Sequence, residues 1–428
     1  MRLYSTLQRR FVELPEPPAR IGIYTCGPTV YQRIHVGNAR PFVLSLWLKR
    51  WLVRRGYDVA LVENITDVND KIYDAAPGRS AELAAEASEW YREDTDLLGL
   101  GRPDHEPKAT ETIEEIVALI QELVDGGSAY AVGGDVYFRV ASFADYGQLS
   151  RQRLEEMRDD EPNPLKEDPR DFALWKARKP GEDTSWESPW GPGRPGWHIE
   201  CSAMAEKFLG PAFEIHLGGL DLVFPHHENE RAQSRAAGRE FARIWMHNGM
   251  LEFTGEKMSK SLGNVVTLRD AVQEWGAETL LLLFLRSHWR KPMDFSQETL
   301  EQARSEGETF RDFFLDARAD GGTARGDELD AALADDFNTA AALSVFHEWR
   351  SRGDAVSLLD GLEVFGLAGL ARQEEPPNRL GELAELRREA RDRKDFAEAD
   401  RLRDEIAAAG WVVRDIAEPP GYRLVPRG

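Results

Sequence analysis

The sequence predicts an α/β protein: a nucleotide-binding domain with a parallel sheet and an insertion, then a helical bundle and a small mixed α/β element. Ile21, Ile23 and Tyr24 form an apolar run that ends at a Gly-Pro turn, as a buried strand would. Apolar residues at helical spacing follow from Leu44 to Leu52. A glycine-rich polar linker at 319–327 then separates this domain from further helical segments.

Length and composition are those of a globular protein. The 428 residues are 42% hydrophobic and 30% charged, which allows two or three domains. No apolar run has membrane length, residues 1–18 do not resemble a secretory leader, and the two cysteines suit a reducing compartment, so we expect a cytoplasmic protein. The net charge of −21 argues against non-specific coating of nucleic acid, although a stretch such as 387–393 could contribute to a local basic groove.

The first candidate site is the turn after the first strand, where residues 35–38 are His-Val-Gly-Asn. The first N–H groups of a helix have no internal partner, so a strand, a glycine turn and a helix start together favour phosphate binding. Gly37 would allow close approach of a nucleotide, and His35 could donate a hydrogen bond to a phosphate in the transition state. Alone, a histidine before a glycine is more often an ordinary turn residue.

The second candidate site is the segment Lys-Met-Ser-Lys-Ser-Leu-Gly-Asn at 257–264. Lys257 and Lys260 could neutralise a departing pyrophosphate, whereas the ordinary alternative is an exposed basic turn. Taken together and in this order, the two motifs resemble the HIGH and KMSKS pair of class I aminoacyl-tRNA synthetases. The pair is far more specific than either motif alone.

Four potential metal ligands occur in three separate segments. Cys26 follows the first strand, and Cys201 ends the segment Gly-Trp-His-Ile-Glu-Cys. Pro225 opens a helix on which His226 and Glu230 lie four residues apart on one face. Two thiolates, an imidazole and a carboxylate are a plausible zinc set, but composition alone favours two buried free cysteines and a surface His/Glu pair.

Further segments resemble the cysteinyl-tRNA synthetase family along nearly the whole chain. They are Cys-Gly-Pro-Thr-Val-Tyr at 26–31, Asn-Ile-Thr-Asp at 64–67, Gly-Trp-His-Ile-Glu-Cys-Ser-Ala-Met at 196–204, Phe-Pro-His-His-Glu-Asn-Glu at 224–230 and Asp-Asp-Phe-Asn-Thr at 335–339. The resemblance implies a Rossmann-like catalytic domain that joins L-cysteine to tRNA(Cys) with ATP and Mg²⁺, and one zinc ion per chain. We expect a monomer without a membrane partner.

The resemblance also assigns the metal ligands, to Cys26, Cys201, Glu230 and either His226 or His227. The four-residue spacing to Glu230 favours His226. A pocket that selects by shape alone separates cysteine from serine by only about 1–3 kcal/mol. A zinc ion prefers a thiolate to a neutral hydroxyl, so specificity would come from ligand softness.

Roles for the other site residues follow. Catalytic roles fall on His35, Asn38, Lys257 and Lys260; ATP binding on Gly37, His35 and Lys260; cysteine binding on Thr66, Trp197 and Asp221. Ordinary explanations exist for two of these, turn capping for Thr66 and core packing for Trp197. Leu217 departs from the family pattern His-Gly-Gly-Gly-x-Asp at 216–221, which raises a question about the backbone beside Asp221.

The elements in chain order predict six regions. The predicted elements are a strand at 57–64, a helix at 112–125, a strand at 135–140, helices at 267–318 and 328–371, and one charged helix that ends at Ala409 before two short strands. The regions are the first half of the catalytic domain (1–111), a connective insertion (112–195), the second half (196–250), the lysine loop with a stem-contact helical region (251–318), an anticodon-side bundle (328–372) and a C-terminal mixed α/β element (379–428).

Two other functions stay open from the sequence. One is the cysteine ligase of mycothiol synthesis, which shares the catalytic core but uses an amino-sugar acceptor. The other is an inactive paralogue kept as an RNA-binding module. The bundle, the C-terminal element and the Gly-Pro-Thr-Val-Tyr segment favour a tRNA ligase, and intact lysines and metal ligands argue against an inactive copy.

Overall fold

The computed structural model of the protein describes residues 1–153, 162–253, 256–257, 266–317, 324–372, 375–416 and 419–426. Within these ranges, every helix is too short or too polar to cross a membrane.

The first half of the N-terminal domain contains the predicted strand, turn and helix. A hairpin of β1 (Arg2–Ser5) and β2 (Arg10–Glu13) precedes β3 (Arg20–Thr25), α1 (Val36–Arg54) and β4 (Asp58–Glu63). β3 and β4 are parallel neighbours in one sheet. The predictions of a strand at the first apolar run, a helix after the glycine turn and a second strand at 57–64 are confirmed.

The next segment builds a small antiparallel sheet beside that domain. Its elements are α2 (Asp70–Ala75), α3 (Ser80–Asp96), α4 (Ile113–Asp125), β5 (Ala129–Val132), β6 (Asp135–Phe138), β7 (Phe172–Ala177) and β8 (Gly193–Pro195). The strand order is β5-β6-β7-β8. α4 confirms the helix predicted at 112–125 and buries Ile116, Ile120 and Leu123 in the same core cluster as Phe138 and Trp175.

The chain then returns to the central sheet. α5 (Trp197–Leu209), β9 (Ala212–Gly219), α6 (Glu228–Ala236) and β10 (Phe241–Asn248) complete it, and the strand order is β10-β9-β3-β4. All three pairings are parallel. Because β3 is followed by β4 on one side and lies against β9 on the other, the strand order reverses between β3 and β9. In open parallel sheets such a point forms a ligand crevice at the carboxyl ends of the strands.

Helices dominate the next part of the chain. β11 (Leu251–Phe253), β12 (Glu256–Lys257) and β13 (Met293–Asp294) form a small sheet, and α7 (Leu268–Trp275) and α8 (Ala277–Arg286) lie between β12 and β13 along the chain. α9 (Gln297–Asp316), α10 (Asp327–Ala334), α11 (Thr339–Ser351) and α12 (Ala355–Val364) follow. The indole N–H of Trp47 in α1 donates to the carbonyl of Phe365 at 3.0 Å, and both belong to one continuous core.

The C-terminal element corrects one prediction. The single charged helix expected to end at Ala409 is two helices, α13 (Asn378–Asp392) and α14 (Phe396–Ala408), packed against the hairpin of β14 (Trp411–Asp415) and β15 (Tyr422–Pro426). Lys394 adopts a left-handed φ of 63°, and the Asp395 side chain caps α14 by accepting from the N–H of Glu398. The sequence pattern does not indicate this break, because helix-forming and charged residues continue without interruption on both sides of it.

The arginines of residues 387–393 are neutralised within the protein. Arg387 and Arg391 both pair with Asp415, Arg388 pairs with Glu385 and Asp392, and Arg393 pairs with Glu389. The expectation that this stretch contributes a basic groove is therefore not supported by its side-chain partners.

The Asp-Asp-Phe-Asn-Thr segment joins the bundle to the N-terminal hairpin. Asp336 is buried and has a left-handed φ of 62°. Its carboxylate accepts from the N–H of Tyr4 and the Nε of Arg290, each at 2.7 Å, and its carbonyl accepts from the indole of Trp289 at 2.6 Å. One side chain thereby connects three segments of the chain.

Asp336→Ala is expected to lower the free energy of unfolding by about 2–3 kcal/mol, because it removes a buried acceptor and places alanine at a left-handed position. Urea unfolding monitored by circular dichroism measures this. Asp335→Ala is the matched control: Asp335 is exposed and pairs with Arg2, so its loss should cost less than about 1 kcal/mol. Equal losses for the two variants would contradict the assignment.

Candidate active site and metal centre

A cavity of about 320 Å³ opens at the carboxyl ends of the central strands. Its lining comes mainly from the segment after β3, the start of α1, the segment after β9 and the segment after β10, with Lys71 of α2 and Trp197 of α5. The position agrees with the crevice that the strand order predicts.

The glycine turn forms one wall of this cavity. His35 is the N-cap residue of α1, and His35, Gly37 and Asn38 all line the cavity. A Cβ atom on Gly37 would lie 3.0 Å from His35 Nδ1, so the missing side chain leaves room for the imidazole. No acidic residue lies in the first turn of α1, which leaves the positive end of the helix dipole unopposed there.

The lysine loop is attached next to this wall. Lys260 lies outside the described residues; Lys257 is described only in its main chain, where it pairs with Glu252 across β11 and β12. At the other end of the loop, the N–H of Val36 donates to the carbonyl of Val266, and the N–H of Leu268 donates to the carbonyl of Ile34, each at 2.9 Å. The segment after the loop is thus bonded directly to the turn that contains His35.

The four predicted metal ligands converge at the base of the cavity. The donor atoms of Cys26, Cys201, His226 and Glu230 all lie within 4.8 Å of one another, and all four residues are buried. Cys26 Sγ is 3.8 Å from Cys201 Sγ and 3.5 Å from Glu230 Oε1. His226 Nε2 is 3.1 Å from Glu230 Oε1. Cys26 also lines the cavity, so the cluster and the glycine turn share one space.

Tight packing between the segments that directly follow β3 and β4 sets the position of the first cysteine. Its neighbour Gly27 donates its N–H to Asn64 Oδ1 at 3.1 Å, and a Cβ atom on Gly27 would lie 1.7 Å from the Asn64 carbonyl oxygen. Only glycine fits at this approach. Asn64 Oδ1 also lies 3.6 Å from Cys201 Sγ. The same amide oxygen therefore contacts the main chain next to Cys26 and the thiol of Cys201.

Electrostatics of the cluster favour a bound cation. Burial raises the pKa of the thiols of Cys26 and Cys201 and lowers the pKa of the His226 imidazole, because charged forms lose their hydration there. Neutral imidazole is the ligating form, and a divalent cation would offset the cost of buried thiolates. The two sulfurs, one nitrogen and one oxygen match a tetrahedral zinc site.

Two further histidines contact the cluster, and the sequence analysis gave them no settled role. His216 Nε2 lies 2.9 Å from Glu230 Oε2, and His227 Nε2 lies 3.3 Å from Cys26 Sγ. With Cys26 and Glu230 they form a second group of donors within 4.8 Å. Between the two groups, only the one with His226 contains both thiols, so His226 stays the preferred ligand of the two histidines that the family resemblance leaves open.

The predicted cysteine-binding residues lie at different depths. Trp197 lines the cavity and stacks on His226 with a centroid distance of 4.1 Å, and Asp221 also lines the cavity. Thr66 is buried, accepts from Asn64 Nδ2 at 3.2 Å and is not among the described residues that line the cavity. Direct contact between Thr66 and a substrate therefore stays a prediction without a geometric counterpart.

Leu217 does not distort the strand beside this pocket. It is fully buried in the main hydrophobic core, and its carbonyl accepts from the N–H of Cys26 at 3.2 Å. β9 keeps a regular parallel register, with Leu217 opposite Thr25 and Met246. Alternation along the strand sends this side chain to the face opposite His216, so the larger residue replaces glycine without entering the site.

Family comparison decides the assignment. Residues 13–305 match the profile described as tRNA synthetases class I (C) catalytic domain, and residues 382–421 match the Cysteinyl-tRNA ligase anticodon binding domain. The chain belongs to the cysteine–tRNA ligase family of class I aminoacyl-tRNA synthetases. This synthetase is 43% identical to the cysteine–tRNA ligase of Caldicellulosiruptor saccharolyticus over 99% of both chains, and 44% identical to that of Halorhodospira halophila over 96% of both.

Solved structures of class I synthetases share the fold. Methionyl-tRNA synthetase of Mycobacterium tuberculosis with methionyl-adenylate is similar with a TM-score of 0.56 and 17% identity, over 86% of this chain and 84% of that one. LeuRS of Agrobacterium radiobacter K84, in a complex with tRNA, gives a TM-score of 0.58 at 12% identity, over 84% and 86%. The predicted α/β, Rossmann-like fold class is confirmed.

Proposed function

We propose that this synthetase joins L-cysteine to tRNA(Cys) in an ATP-dependent reaction through a cysteinyl-adenylate intermediate. The observation that carries the proposal is the buried Cys/Cys/His/Glu cluster at the base of a cavity whose wall is the glycine turn. Membership of the cysteine–tRNA ligase family supplies the amino acid and the acceptor. The match at 382–421 favours a tRNA acceptor over the amino sugar of mycothiol synthesis.

Selection of the substrate thiol is assigned to the cluster. Cys26, Cys201, His226 and Glu230 would hold one zinc ion, which when bound supplies a soft Lewis acid that prefers a thiolate to a hydroxyl. Asp221 lines the same cavity and would accept from the α-ammonium group. Trp197, stacked on His226, would close the side of the pocket and exclude water from it.

Activation of the carboxylate is assigned to the glycine turn and the lysine loop. A carboxylate oxygen of cysteine attacks the α-phosphorus of ATP in line: the new oxygen–phosphorus bond forms while the bond from the α-phosphorus to the bridging oxygen breaks, and pyrophosphate leaves. Mg²⁺ bound to the phosphates would supply positive charge for the leaving group. His35 and Asn38 would donate to the phosphate oxygens that gain charge, while Gly37 permits close approach. Lys257 and Lys260 would neutralise the leaving pyrophosphate. A terminal ribose hydroxyl of tRNA then takes the cysteinyl group and AMP leaves.

Metal analysis of the purified protein should find about one zinc ion per chain. His226→Ala should reduce the zinc content to less than about a tenth, because it deletes a ligand. His227→Ala is the matched comparison, since its imidazole contacts Cys26 and hydrogen-bonds to His247 outside both donor groups. It should weaken zinc affinity only about 10–100-fold and leave the site filled at micromolar zinc. The reverse pattern would move the ligand assignment to His227.

Cysteine-dependent exchange of pyrophosphate into ATP tests the function. The proposed synthetase should catalyse exchange with cysteine and not with serine, before any tRNA is added. Exchange that is absent with every amino acid would refute the adenylation step and leave an RNA-binding module as the remaining explanation.

A further inference from the structure

An ionic cluster at the edge of the cavity joins the segments next to the two signature motifs. Asp94, near the end of α3, has no exposed surface. Its Oδ1 atom accepts from Arg33 Nη1 at 2.5 Å and from Arg269 Nε at 2.8 Å. The adjacent Glu93 lies 2.7 Å from Arg269 Nη2 and 3.4 Å from Arg33 Nη2. Two arginines therefore share two neighbouring carboxylates.

The positions of these arginines in the chain connect them to the reaction. Arg33 lies two residues before His35 and itself lines the cavity. Arg269 is the second residue of α7, which begins just after the lysine loop. His35 and Thr267 form an isolated antiparallel bridge. Arg33 and Arg269, each two residues from that bridge, lie close together because both reach the same Asp94 oxygen. Two guanidinium groups held this close together repel each other unless a negative charge lies between them.

The carboxylate of Asp94 cancels this repulsion. It is contributed by α3, which belongs to neither motif, and its other oxygen makes no hydrogen bond within the described part of the chain. Both guanidinium groups thus meet on one buried oxygen. A buried carboxylate with two cationic partners is a strong and directional clamp, whereas an exposed pair at the same place would contribute little.

We propose that Asp94 is a positioning residue for adenylation, which holds the base of the lysine loop against the His35 turn by binding Arg33 and Arg269 together. Loss of the Asp94 charge leaves the two cations with only the exposed carboxylate of Glu93 between them, beside the contact of Ile34–Val36 with Val266–Leu268. The contact then opens, and the His35 turn shifts relative to the segment that follows the lysine loop. A displacement of about 1 Å at such a contact can cost about 100-fold in rate. The inference rests on the proposed adenylation function, because its readout is that reaction.

Asp94→Asn tests the clamp with an isosteric change. We expect kcat for cysteine-dependent pyrophosphate exchange to fall about 10–100-fold, while KM for cysteine and the zinc content stay within about twofold of the unmodified protein. Glu89→Gln is the matched control on the same helix, because Glu89 pairs with Arg92 at an exposed position. It should leave kcat unchanged.

Relief of repulsion separates positioning from a general structural role. Asp94→Asn combined with Arg269→Gln removes one of the opposed cations, so the double variant should be faster than Asp94→Asn alone. Asp94→Glu should keep more activity than Asp94→Asn. If Asp94→Asn does not fold, Arg269→Gln still tests the clamp, because Arg269 is partly exposed (30%) and its replacement leaves Asp94 paired with Arg33. It should lower kcat and leave KM for cysteine unchanged.

The outcomes are distinguishable. An unmodified protein without cysteine-dependent exchange would refute the proposed function itself. An active protein whose Asp94→Asn variant matches it in kcat, or whose double variant is no faster than the single one, would overturn the positioning role of Asp94.

Discussion

Cys201→Ser is expected to abolish selective attachment of cysteine, with a fall in kcat/KM for cysteine of at least about 1,000-fold. The reason lies in the limit of shape recognition: a pocket that discriminates by volume alone separates such close substrates by about 10–200-fold. Cys201 Sγ lies 3.8 Å from Cys26 Sγ in the buried cluster, and a serine hydroxyl is a poor zinc ligand. The variant should therefore lose its metal and its preference for cysteine over serine together.

Parallel measurements of zinc content and of pyrophosphate exchange with cysteine and serine check this result. Met204→Leu is the control, because Met204 is buried on the same helix and the swap keeps its volume. It should retain zinc and selectivity. A Cys201→Ser variant without zinc that still prefers cysteine over serine by more than about 200-fold would show that shape or another group selects the thiol.

His35→Ala should reduce cysteine-dependent pyrophosphate exchange by about 100–1,000-fold, the usual cost of losing one donor to a transition state that gains negative charge. His35 lines the cavity next to Gly37 and lies at the amino end of α1. Zinc content and cysteine binding should be unchanged, because the cluster at the base of the cavity is built from other residues.

Lys260→Ala should likewise lower pyrophosphate exchange and leave zinc content and cysteine binding unchanged, because it removes a positive charge from the lysine loop.

His347→Ala provides the comparison for His35→Ala. His347 pairs with Glu306 in the helical bundle, at 2.7 Å, away from the residues that line the cavity. Single-turnover formation of the adenylate, followed by rapid quenching, separates chemistry from product release. Normal adenylate formation in His35→Ala would remove this residue from the catalytic group.

Sequence analysis anticipated the parts of the site that depend on local patterns. The apolar run of β3, the glycine turn and α1 are adjacent in the chain, so periodicity and turn residues determine them. The metal cluster was different: composition alone favoured free cysteines, and family resemblance reversed that preference. The structure then brings Cys26 and Cys201 to within 3.8 Å.

Contacts between distant segments were beyond local patterns. No spacing in the sequence relates Asp94 to both Arg33 and Arg269, since their meeting depends on how α3 and α7 pack. The sequence does not predict the break between α13 and α14, because Lys394 and Asp395 are both common in charged helices. The break depends on the left-handed φ of Lys394, which no local pattern indicates. Burial of Leu217 on the far face of β9 likewise needed the register of the sheet.

Attachment of labelled cysteine to total tRNA, with ATP and Mg²⁺ present and labelled serine as the control, tests the central claim most directly. The account predicts label from cysteine alone, sensitive to ribonuclease and released by mild base, as expected of an ester to the terminal ribose. Absence of label from tRNA, in a protein that still catalyses cysteine-dependent pyrophosphate exchange, would contradict the account and indicate a different acceptor, the amino sugar first among them.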